Sequence, residues 1–328
     1  MRLASMDVGT NSTRLLIADV SDGRITAQLT REMVITRLGK GVDKTRRFDP
    51  LALARTLEVL GDYAARCLEH QVEGVRLAAT SATRDAANRD ELIDGVRELL
   101  GIEPEVLSGP EEAAASFLGA TWDLPIPPNG QVAVFDIGGG STELIAGPAG
   151  PAASASVGEV LDNPPRAVSV DVGSVRLTER HVTHDPLTED EVAAVRADAE
   201  AAIAAGVERL GWTPGAGAPG GAQVVGVAGT VTTVTALSLG LEAYDPDRVH
   251  RSTLTAATIA ETAARLCAMT VAEKAALPTM PPGREDVIAA GALVLEAVCR
   301  VLALEEITVS ETDILDGVLL GLARRMGA

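Results

Sequence analysis

One short pattern occurs twice and constrains the fold of this chain more than any other feature of the sequence. Residues 6–12 read MDVGTNS, and residues 135–141 read FDIGGGS. In each copy an apolar strand ends in Asp, a glycine turn with small hydroxyl residues follows, and a second strand begins. Two such copies predict a duplicated fold whose matching hairpins face each other. A chain of 328 residues is long enough for two domains of this kind.

The apolar pattern around the first copy predicts three strands and then a helix. Strands are predicted at residues 2–7, 13–20 and 24–33, and Asp49 followed by Pro50 indicates a helix start. Apolar residues at helical spacing predict which face of that helix is buried. They are Leu53, Leu57, Leu60, Ala64, Cys67 and Leu68.

The pattern restarts after residues 121–129, a Pro-rich segment that is predicted to be a linker. Two strands at 131–136 and 142–147 enclose the second glycine turn. Residues 148–167 are rich in Gly, Pro, Ala and Ser and are predicted to form a long hairpin excursion. Further strands are predicted at 168–172 and 307–310, and a strand, turn and helix at 224–239. Further helices are predicted at 189–210, 255–269, 286–302 and 313–325.

Glycine turns of this kind are typical of phosphate sites. Backbone N–H groups converge on an anion where no side chain intervenes, and Ser or Thr hydroxyls add further donors. The sequence therefore predicts phosphate binding by both turns. The residues concerned are Thr10, Asn11 and Ser12 in the first copy and Gly138, Gly139, Gly140 and Ser141 in the second.

An aspartate beside each turn would repel phosphate unless a cation lay between them. Asp7 and Asp136 are therefore interpreted as carboxylates that orient Mg²⁺ or its waters, since Mg²⁺ prefers oxygen ligands. Glu143, which follows the second turn, is a further candidate for the metal or for a water. A solvent-facing strand position is the alternative for Glu143.

Two glutamates open the helix predicted after Ser108. Ser108 and Glu111 have the spacing of a capping box, which accounts for Glu111 by helix stability alone. Glu112 is not needed for the cap, and a glutamate there is suited to activating a water for attack on a terminal phosphorus. We therefore predict that Glu112 is the general base.

Two strand-to-helix turns supply further candidates. Arg84 follows the first of them and is suited to binding phosphate oxygens through two nitrogens, although a solvated first-turn arginine is an alternative. Gly229 and Thr230 lie in the second, where the free N–H groups of a helix N-terminus favour an anion. Close strand–helix packing explains that second turn equally well.

Charge and composition exclude several classes of function. The net charge of −18 argues against nucleic acid or an acidic membrane as a partner. Six basic residues cluster within residues 31–47, which offers local positive charge or simply a solvated loop.

The three cysteines and four histidines show no disulfide or zinc pattern, and the absence of a signal-like apolar block suggests a cytoplasmic protein. Aromatic residues make up only 2%, so Ala, Val, Leu and Ile must fill the core.

These motifs together resemble one known family. DVGTNSTRLLIADV, ATSATRDAANRDEL, SGPEEA, VFDIGGGSTELI, VDVGSVRLTE, GVAGTVTT, PPGREDVIAAGALVL and VSETDILDGVLLGLARR occur in this order and resemble the Ppx/GppA family of exopolyphosphatases and guanosine pentaphosphate phosphohydrolases. The resemblance implies an α/β fold of the two-domain actin-like type, with duplicated ribonuclease H-like domains around a cleft. It implies domain I at 1–122 plus 311–328, whose last helix packs back on it, and domain II at 123–310.

The resemblance also implies roles for individual residues. Glu112 matches the catalytic glutamate, Arg84 the arginine of the cleft, and Asp136 with Glu143 the metal- and water-linked acids. Mg²⁺ is the implied cofactor, with Mn²⁺ as an alternative, and a homodimer is the implied assembly. The chain resembles the short family members that lack a C-terminal helical extension, which favours short polyphosphate chains as substrate.

Four functions fit this reading of the sequence. The first is hydrolysis of the terminal phosphate of inorganic polyphosphate, and the second is hydrolysis of the γ-phosphate of pppGpp by the same residues, with (p)ppGpp as substrate or inhibitor. A kinase of the same fold is the third, although it would need an acceptor site and an adenosine-contacting loop. The fourth is a non-enzymatic sensor of phosphates or alarmones, which would have no need of a water-activating acid.

Overall fold

The computed structural model describes residues 1–125, 130–148 and 165–328, and these residues form two units. The first unit contains Met1–Trp122 and Asp313–Ala328, and the second contains residues 123–125, 130–148 and 165–312. Within the described ranges, no helix is long and apolar enough to cross a membrane. Residues 126–129 of the predicted linker and 149–164 of the predicted hairpin excursion lie outside these ranges.

Among the described residues of the first unit, a mixed sheet of five strands forms the centre. Its strands are β1 (Arg2–Val8), β2 (Ser12–Ser21), β3 (Arg24–Ile35), β4 (Gly74–Ala79) and β5 (Glu105–Val106). They lie in the order β3-β2-β1-β4-β5. β2 is antiparallel to both of its neighbours, β1 and β3, whereas β1, β4 and β5 run parallel.

Helices cover this sheet. They are α1 (Val42–Thr45), α2 (Pro50–Glu69), α3 (Ser81–Asp85), α4 (Arg89–Leu100), α5 (Gly109–Thr121) and the last helix of the chain, Ile314–Met326. That last helix packs on β1 and α5, and Ser5 on β1 donates a hydrogen bond to the carbonyl of Leu315 at 2.7 Å.

The start of α2 is as predicted, but its buried face differs at one position. The Asp49 side chain accepts hydrogen bonds from the N–H groups of Leu51 and Ala52, both at 3.0 Å, so the predicted cap is confirmed. Leu68 was expected on the buried face but is 80% exposed. Cys67 faces the core, and Leu68 is turned about 100° away from it around the helix axis. Tyr63, one turn earlier, is buried instead and donates to the carbonyl of Thr13 at 3.0 Å.

The second unit repeats the arrangement of the first sheet. Its strands are β6 (Gln131–Ile137), β7 (Thr142–Pro148), β8 (Arg166–Val170), β9 (Gln223–Val227), β10 (Thr253–Thr255) and β11 (Glu306–Val309). Read from one edge, their order is β8-β7-β6-β9-β11-β10, in which the first five strands match β3-β2-β1-β4-β5 in both order and direction. The predicted fold class, α/β with duplicated ribonuclease H-like domains of the actin type, is confirmed for each unit.

The helices of the second unit bury a core made almost entirely of aliphatic residues. They are α6 (Ser174–His181), α7 (Glu189–Arg209), α8 (Ala228–Ser238), α9 (Pro246–Val249), α10 (Ala256–Ala268), α11 (Val271–Ala275) and α12 (Ile288–Leu302). The last helix of the chain, in the first unit, is then α13 (Ile314–Met326).

The central strands β1 and β6 position the predicted site residues. Each lies between neighbours on both sides, and every residue from Leu3 to Val8 and from Val132 to Ile137 is buried. Asp7 and Asp136 lie near the ends of these strands and are therefore buried as well, although a carboxylate is costly to bury without partners.

Candidate active site

The loops that carry the predicted residues of the first unit start at neighbouring strand ends. Val8 on β1 lies in register with Ala79 on β4, and Ala79 with Val106 on β5. The first glycine turn follows β1, Arg84 lies on α3 after β4, and Glu112 lies on α5 after β5. The carboxyl ends of parallel strands are the usual ligand-binding edge of an α/β sheet. The topology of this unit therefore places these residues at one edge.

The two hairpins that share a sequence pattern also share their backbone geometry. The N–H of Gly9 donates to the carbonyl of Ser12 at 2.9 Å, and the N–H of Gly138 donates to that of Ser141 at 3.0 Å. The aspartate of each strand lies opposite an ionisable residue on the next strand: Asp7 faces Arg14, and Asp136 faces Glu143. The repeated pattern therefore encodes a repeated structure.

The first glycine turn, residues 9–12, is held by a segment that follows β3. The carbonyl of Thr10 accepts a hydrogen bond from the N–H of Gly39 at 2.8 Å. The carbonyl of Asn11 accepts two hydrogen bonds, at 2.9 and 3.1 Å, from N–H groups of the same segment. We name residues 36–39 the first backing segment.

The second glycine turn, residues 138–141, is held in the same manner by residues 173–176 after β8, which we name the second backing segment. The carbonyl of Gly138 accepts one N–H from this segment at 3.0 Å, and that of Gly139 accepts two, at 2.9 and 3.1 Å. The carbonyl of Gly140 accepts a hydrogen bond from a side chain at 2.6 Å. The donors are the N–H groups of Ser174, Val175 and Arg176 and the Nε–H of Arg176.

These contacts fix the direction of the N–H groups in the second turn. A trans peptide is planar, so the N–H of each residue points away from the preceding carbonyl. With the carbonyls of Gly138, Gly139 and Gly140 bound to the backing segment, the N–H groups of Gly139, Gly140 and Ser141 are turned to the other side. Successive N–H groups that point to one side form an anion-binding concavity.

Asp7 forms part of an ion-pair network in the first unit. Its Oδ2 accepts hydrogen bonds from Nε and Nη2 of Arg14 at 2.9 and 2.7 Å, and Nη1 of Arg14 contacts Asp313. Burial raises the pKa of Asp7, and Arg14 opposes that rise. Burial also disfavours the charge of Arg14, but Asp313 and Asp7 outweigh it and raise the pKa of that guanidinium.

Arg14 accordingly supplies a cation beside Asp7, where the sequence argument required one. The other oxygen of Asp7, Oδ1, is buried and has no hydrogen-bond partner among the described residues. Among the residues that the structure describes, only one of the two oxygens of Asp7 is therefore hydrogen-bonded.

Asp136 and Glu143 lie side by side in the second unit. They are register partners on β6 and β7, which places their side chains on the same face of the sheet. Glu143 is buried and accepts a hydrogen bond from Ser169 Oγ on β8 at 2.8 Å. The alternative of a solvent-facing position for Glu143 is thus excluded.

Glu112 and Arg84 are in direct contact. Nη1 of Arg84 contacts a carboxylate oxygen of Glu112 and also donates to the carbonyl of Leu107 at 2.9 Å. Glu112 is buried, whereas 24% of the Arg84 side chain is exposed. The structure thus joins two residues that lie 28 positions apart and that the sequence singled out separately.

Glu111 has the structural role that its spacing predicted. Its carboxylate accepts the N–H of Ser108 at 2.8 Å and the Ser108 hydroxyl at 2.6 Å, while the Ser108 side chain accepts the N–H of Glu111. The hydrogen bonds from Ser108 lower the pKa of Glu111. The capping box is confirmed, and Glu112 lies outside it, in contact with Arg84.

The strand-to-helix turn that carries Gly229 contacts an arginine that the sequence reasoning missed. Gly229 lies in the first turn of α8, next to Ala228, whose φ of 70° is unusual for a residue with a side chain. Nη1 of Arg284 donates to the carbonyl of Gly229 at 2.8 Å and to Thr233 Oγ1 at 2.7 Å. A Cβ on Gly229 would lie 2.2 Å from this guanidinium, so any larger residue would displace the arginine from its present position. Thr230, the next residue, is buried.

Sequence reasoning missed the arginines and the aspartate that hold these turns. Arg14 was detectable, because strand alternation across a four-residue turn places it opposite Asp7. Asp313 was detectable from its capping-box spacing with Asp316, whose carboxylate does accept the N–H of Asp313 at 3.0 Å. Arg176 and Arg284 gave no such signal. Across the described ranges, no group of three or more His, Cys, Asp or Glu is arranged to hold a metal ion.

Comparison with known proteins gives consistent results. A model of the Ppx/GppA phosphatase family matches residues 16–326. The chain is 42% identical to exopolyphosphatase 2 of Mycobacterium tuberculosis, covering 98% of both chains. Among solved structures, an exopolyphosphatase-like protein is 37% identical with a TM-score of 0.86, covering 99% of this chain and 100% of that one. An exopolyphosphatase from Cytophaga hutchinsonii is 26% identical with a TM-score of 0.84, covering 100% and 99%.

Proposed function

This chain belongs to the Ppx/GppA phosphatase family, and on that premise we propose that it hydrolyses the terminal phosphoanhydride bond of inorganic polyphosphate and releases orthophosphate. The family and the exopolyphosphatases that resemble the chain indicate a hydrolase. The same relatives support polyphosphate as the substrate. Short chains are the proposed preference.

The contact between Arg84 and Glu112 is the observation that carries this proposal. Arg84 holds Glu112 through Nη1 alone, and within the described residues its Nε and Nη2 have no hydrogen-bond partner. A guanidinium binds phosphate oxygens well through two nitrogens. One arginine is therefore able to orient the base and bind the substrate, which brings a water on Glu112 close to the terminal phosphorus.

Hydrolysis then follows from these two residues. Glu112 accepts a proton from a water, and the oxygen of that water attacks the terminal phosphorus. The bond from this phosphorus to the bridging oxygen breaks, and the bridging oxygen remains with the shortened chain. Arg84 offsets the charge that develops on the phosphoryl oxygens.

The glycine turns are proposed to bind the phosphates. The second turn directs the N–H groups of Gly139, Gly140 and Ser141 away from its backing segment, and a phosphate is the natural ligand of such a group of donors. Thr10, Asn11 and Ser12 are proposed to act likewise in the first unit. Gly229 and Thr230 at the start of α8 are a further proposed contact.

The phosphatase family suggests a divalent metal, and Mg²⁺, with Mn²⁺ as an alternative, is the proposed ion. The residues fit such an ion. Mg²⁺ is usually bound by one or two carboxylates with waters and substrate phosphates. Asp136 and Glu143 form a pair of adjacent carboxylates in the second unit. Asp7, in the first unit, is a separate candidate, because its buried Oδ1 has no hydrogen-bond partner among the described residues. When bound, the ion would supply positive charge against the phosphates.

The decisive test is phosphate release measured in parallel on short polyphosphate, long polyphosphate, pppGpp and ATP, each with Mg²⁺, with Mn²⁺ and with a chelator. We expect turnover of short polyphosphate that depends on the divalent ion. Faster turnover of pppGpp would make the alarmone the substrate instead. The absence of release from all four compounds would refute the proposal.

The homodimer and the cytoplasmic location are proposals too, to be tested by light scattering and by cell fractionation.

A further inference from the structure

The second backing segment, residues 173–176, has a role that the family motifs do not assign. Its N–H groups and one of its side chains bind all three carbonyls of Gly138, Gly139 and Gly140. The contact is close, because a Cβ on Gly173 would lie 2.6 Å from the carbonyl oxygen of Gly139 and 2.8 Å from that of Gly138. Gly173 is therefore required for the segment to approach the turn at all.

Arg176 is the one member of the segment that acts through its side chain. It is buried, 7% exposed, and its Nε donates to the carbonyl of Gly140 at 2.6 Å. Burying a guanidinium is costly, and a charged donor makes a stronger hydrogen bond than a neutral one. The Gly140 carbonyl and the Ser141 N–H belong to the same planar peptide. Through this contact Arg176 fixes the direction of the Ser141 N–H.

The first unit shows that this arrangement is a principle of the fold. Its backing segment, residues 36–39, also follows the third strand of its sheet and also binds the carbonyls of the glycine turn. Gly39 is needed there as well, because a Cβ would lie 2.3 Å from the side chain of Thr10. In that unit, however, the carbonyl of Asn11 is bound by backbone N–H groups, whereas the corresponding carbonyl of Gly140 is bound by Arg176.

We propose that Arg176 is a positioning residue, which holds the peptide between Gly140 and Ser141 so that the second glycine turn presents its N–H groups to a terminal phosphate. This inference rests on the proposed function for its substrate. It concerns substrate binding more than the chemical step, because Glu112 and Arg84 belong to the other unit and do not depend on this peptide for their contact.

The test compares Arg176→Met, Arg176→Lys and the matched control Arg196→Met. Arg196 is another arginine of the second unit, 30% exposed in its side chain, and its partner is Glu296 at 3.0 Å. For each variant we would measure Tm, kcat and KM for short polyphosphate, and the binding of inorganic phosphate by calorimetry. We expect Arg176→Met to raise KM about tenfold and to weaken phosphate binding in parallel, with kcat within about threefold of wild type.

Arg176→Lys should fall between wild type and Arg176→Met, because an ammonium restores charge but not the planar donor. Arg196→Met should lower Tm about as much as Arg176→Met does but should leave KM unchanged. If Arg176→Met does not fold, Arg176→Lys decides alone: a severalfold rise in KM supports the proposal, and an unchanged KM overturns it. Equal KM values for wild type and both Arg176 variants also overturn it. If wild type releases no phosphate from polyphosphate, the proposed function fails, and the binding of inorganic phosphate still tests Arg176.

Discussion

At the scale of the residue, two neighbouring glutamates show how position decides chemistry. Glu111 and Glu112 are identical side chains in the first turn of α5. Glu111 turns back to Ser108 and completes the capping box, whereas Glu112 is buried against Arg84. The first contributes to helix stability, and the second is the proposed base.

The first prediction separates these two roles. Glu112→Gln keeps the shape of the side chain but cannot accept a proton, so we expect kcat on polyphosphate to fall by about 10²–10⁴ with Tm little changed. Glu111→Gln is the matched control, since glutamine still serves a capping box, and its kcat should stay within about twofold of wild type. A Glu112→Gln enzyme with normal turnover would show that another group activates the water.

A second prediction concerns the ion pair beside the first glycine turn. Arg14 is 16% exposed in its side chain and binds Asp7 and Asp313, which are 6% and 5% exposed. Arg14→Met leaves two buried carboxylates without their cation, so the free energy of unfolding should fall by about 3–5 kcal/mol in urea denaturation. Arg97→Met is the control, because Arg97 is 51% exposed, its ion pairs are screened by solvent, and its loss should change stability far less than the loss of Arg14. Equal effects of the two substitutions would contradict this account.

At the scale of the element, α5 and α13 pack so closely that each contributes a glycine to the contact. A Cβ on Gly119 would lie 1.6 Å from the carbonyl oxygen of Asp313, and one on Gly317 would lie 1.8 Å from that of Ala115. Both neighbours are backbone atoms and cannot rotate away. This contact holds the C-terminal helix against the helix that carries Glu112.

The third prediction follows from that contact. Gly317→Ala should lower the free energy of unfolding by about 3 kcal/mol or more, because the helices must move apart to admit a methyl group. Gly61→Ala on α2 is the control, since its Cβ would meet nothing nearer than a Leu99 methyl carbon at 3.8 Å. That substitution should stabilise the protein by up to about 1 kcal/mol through helix propensity. A stable Gly317→Ala protein would mean that the helices are less tightly apposed than described.

At the scale of the whole molecule, the charge of −18 opposes a polyanionic substrate. The basic cluster within residues 31–47 offsets little of it. Arg31 is paired with the buried Asp316 at 2.5 Å, and Arg46 and Arg47 lie within 3.4 and 3.6 Å of acidic side chains. The interpretation of this cluster as local positive charge for the substrate is therefore weakened.

The fourth prediction is a salt dependence with an unusual sign. Raising NaCl from about 10 to 150 mM shortens the Debye length from about 30 to 8 Å, which screens the repulsion between enzyme and polyphosphate. At constant free Mg²⁺ we expect kcat/KM to rise and kcat to stay nearly constant. A fall in kcat/KM with salt would instead indicate a local positive field that attracts the substrate.

The sequence by itself determined the repeated hairpins, many of the longer strands and helices, the Asp49 cap, the Ser108–Glu111 capping box and the position of Glu112 outside that box. These features depend on neighbours within a few residues, where periodicity and hydrogen-bond spacing are read directly from the chain. The predicted face of α2 shows the limit, because Leu68 has helical spacing within tolerance and is nevertheless exposed. Successive residues of a helix point about 100° apart, so a shift of one residue turns a side chain away from the core. How the helix is rotated about its axis is decided by its packing against the sheet.

The tertiary structure alone decided which residues hold the site residues in place. Arg14 meets Asp313 across 299 positions and Arg84 meets Glu112 across 28, while Arg176 binds a carbonyl 36 positions away. Such contacts depend on how strands are ordered in a sheet and where the following segments return. A buried charge is costly without a partner, and the fold brings that partner from a distant part of the chain. No local pattern in the sequence therefore indicates which residue the partner is.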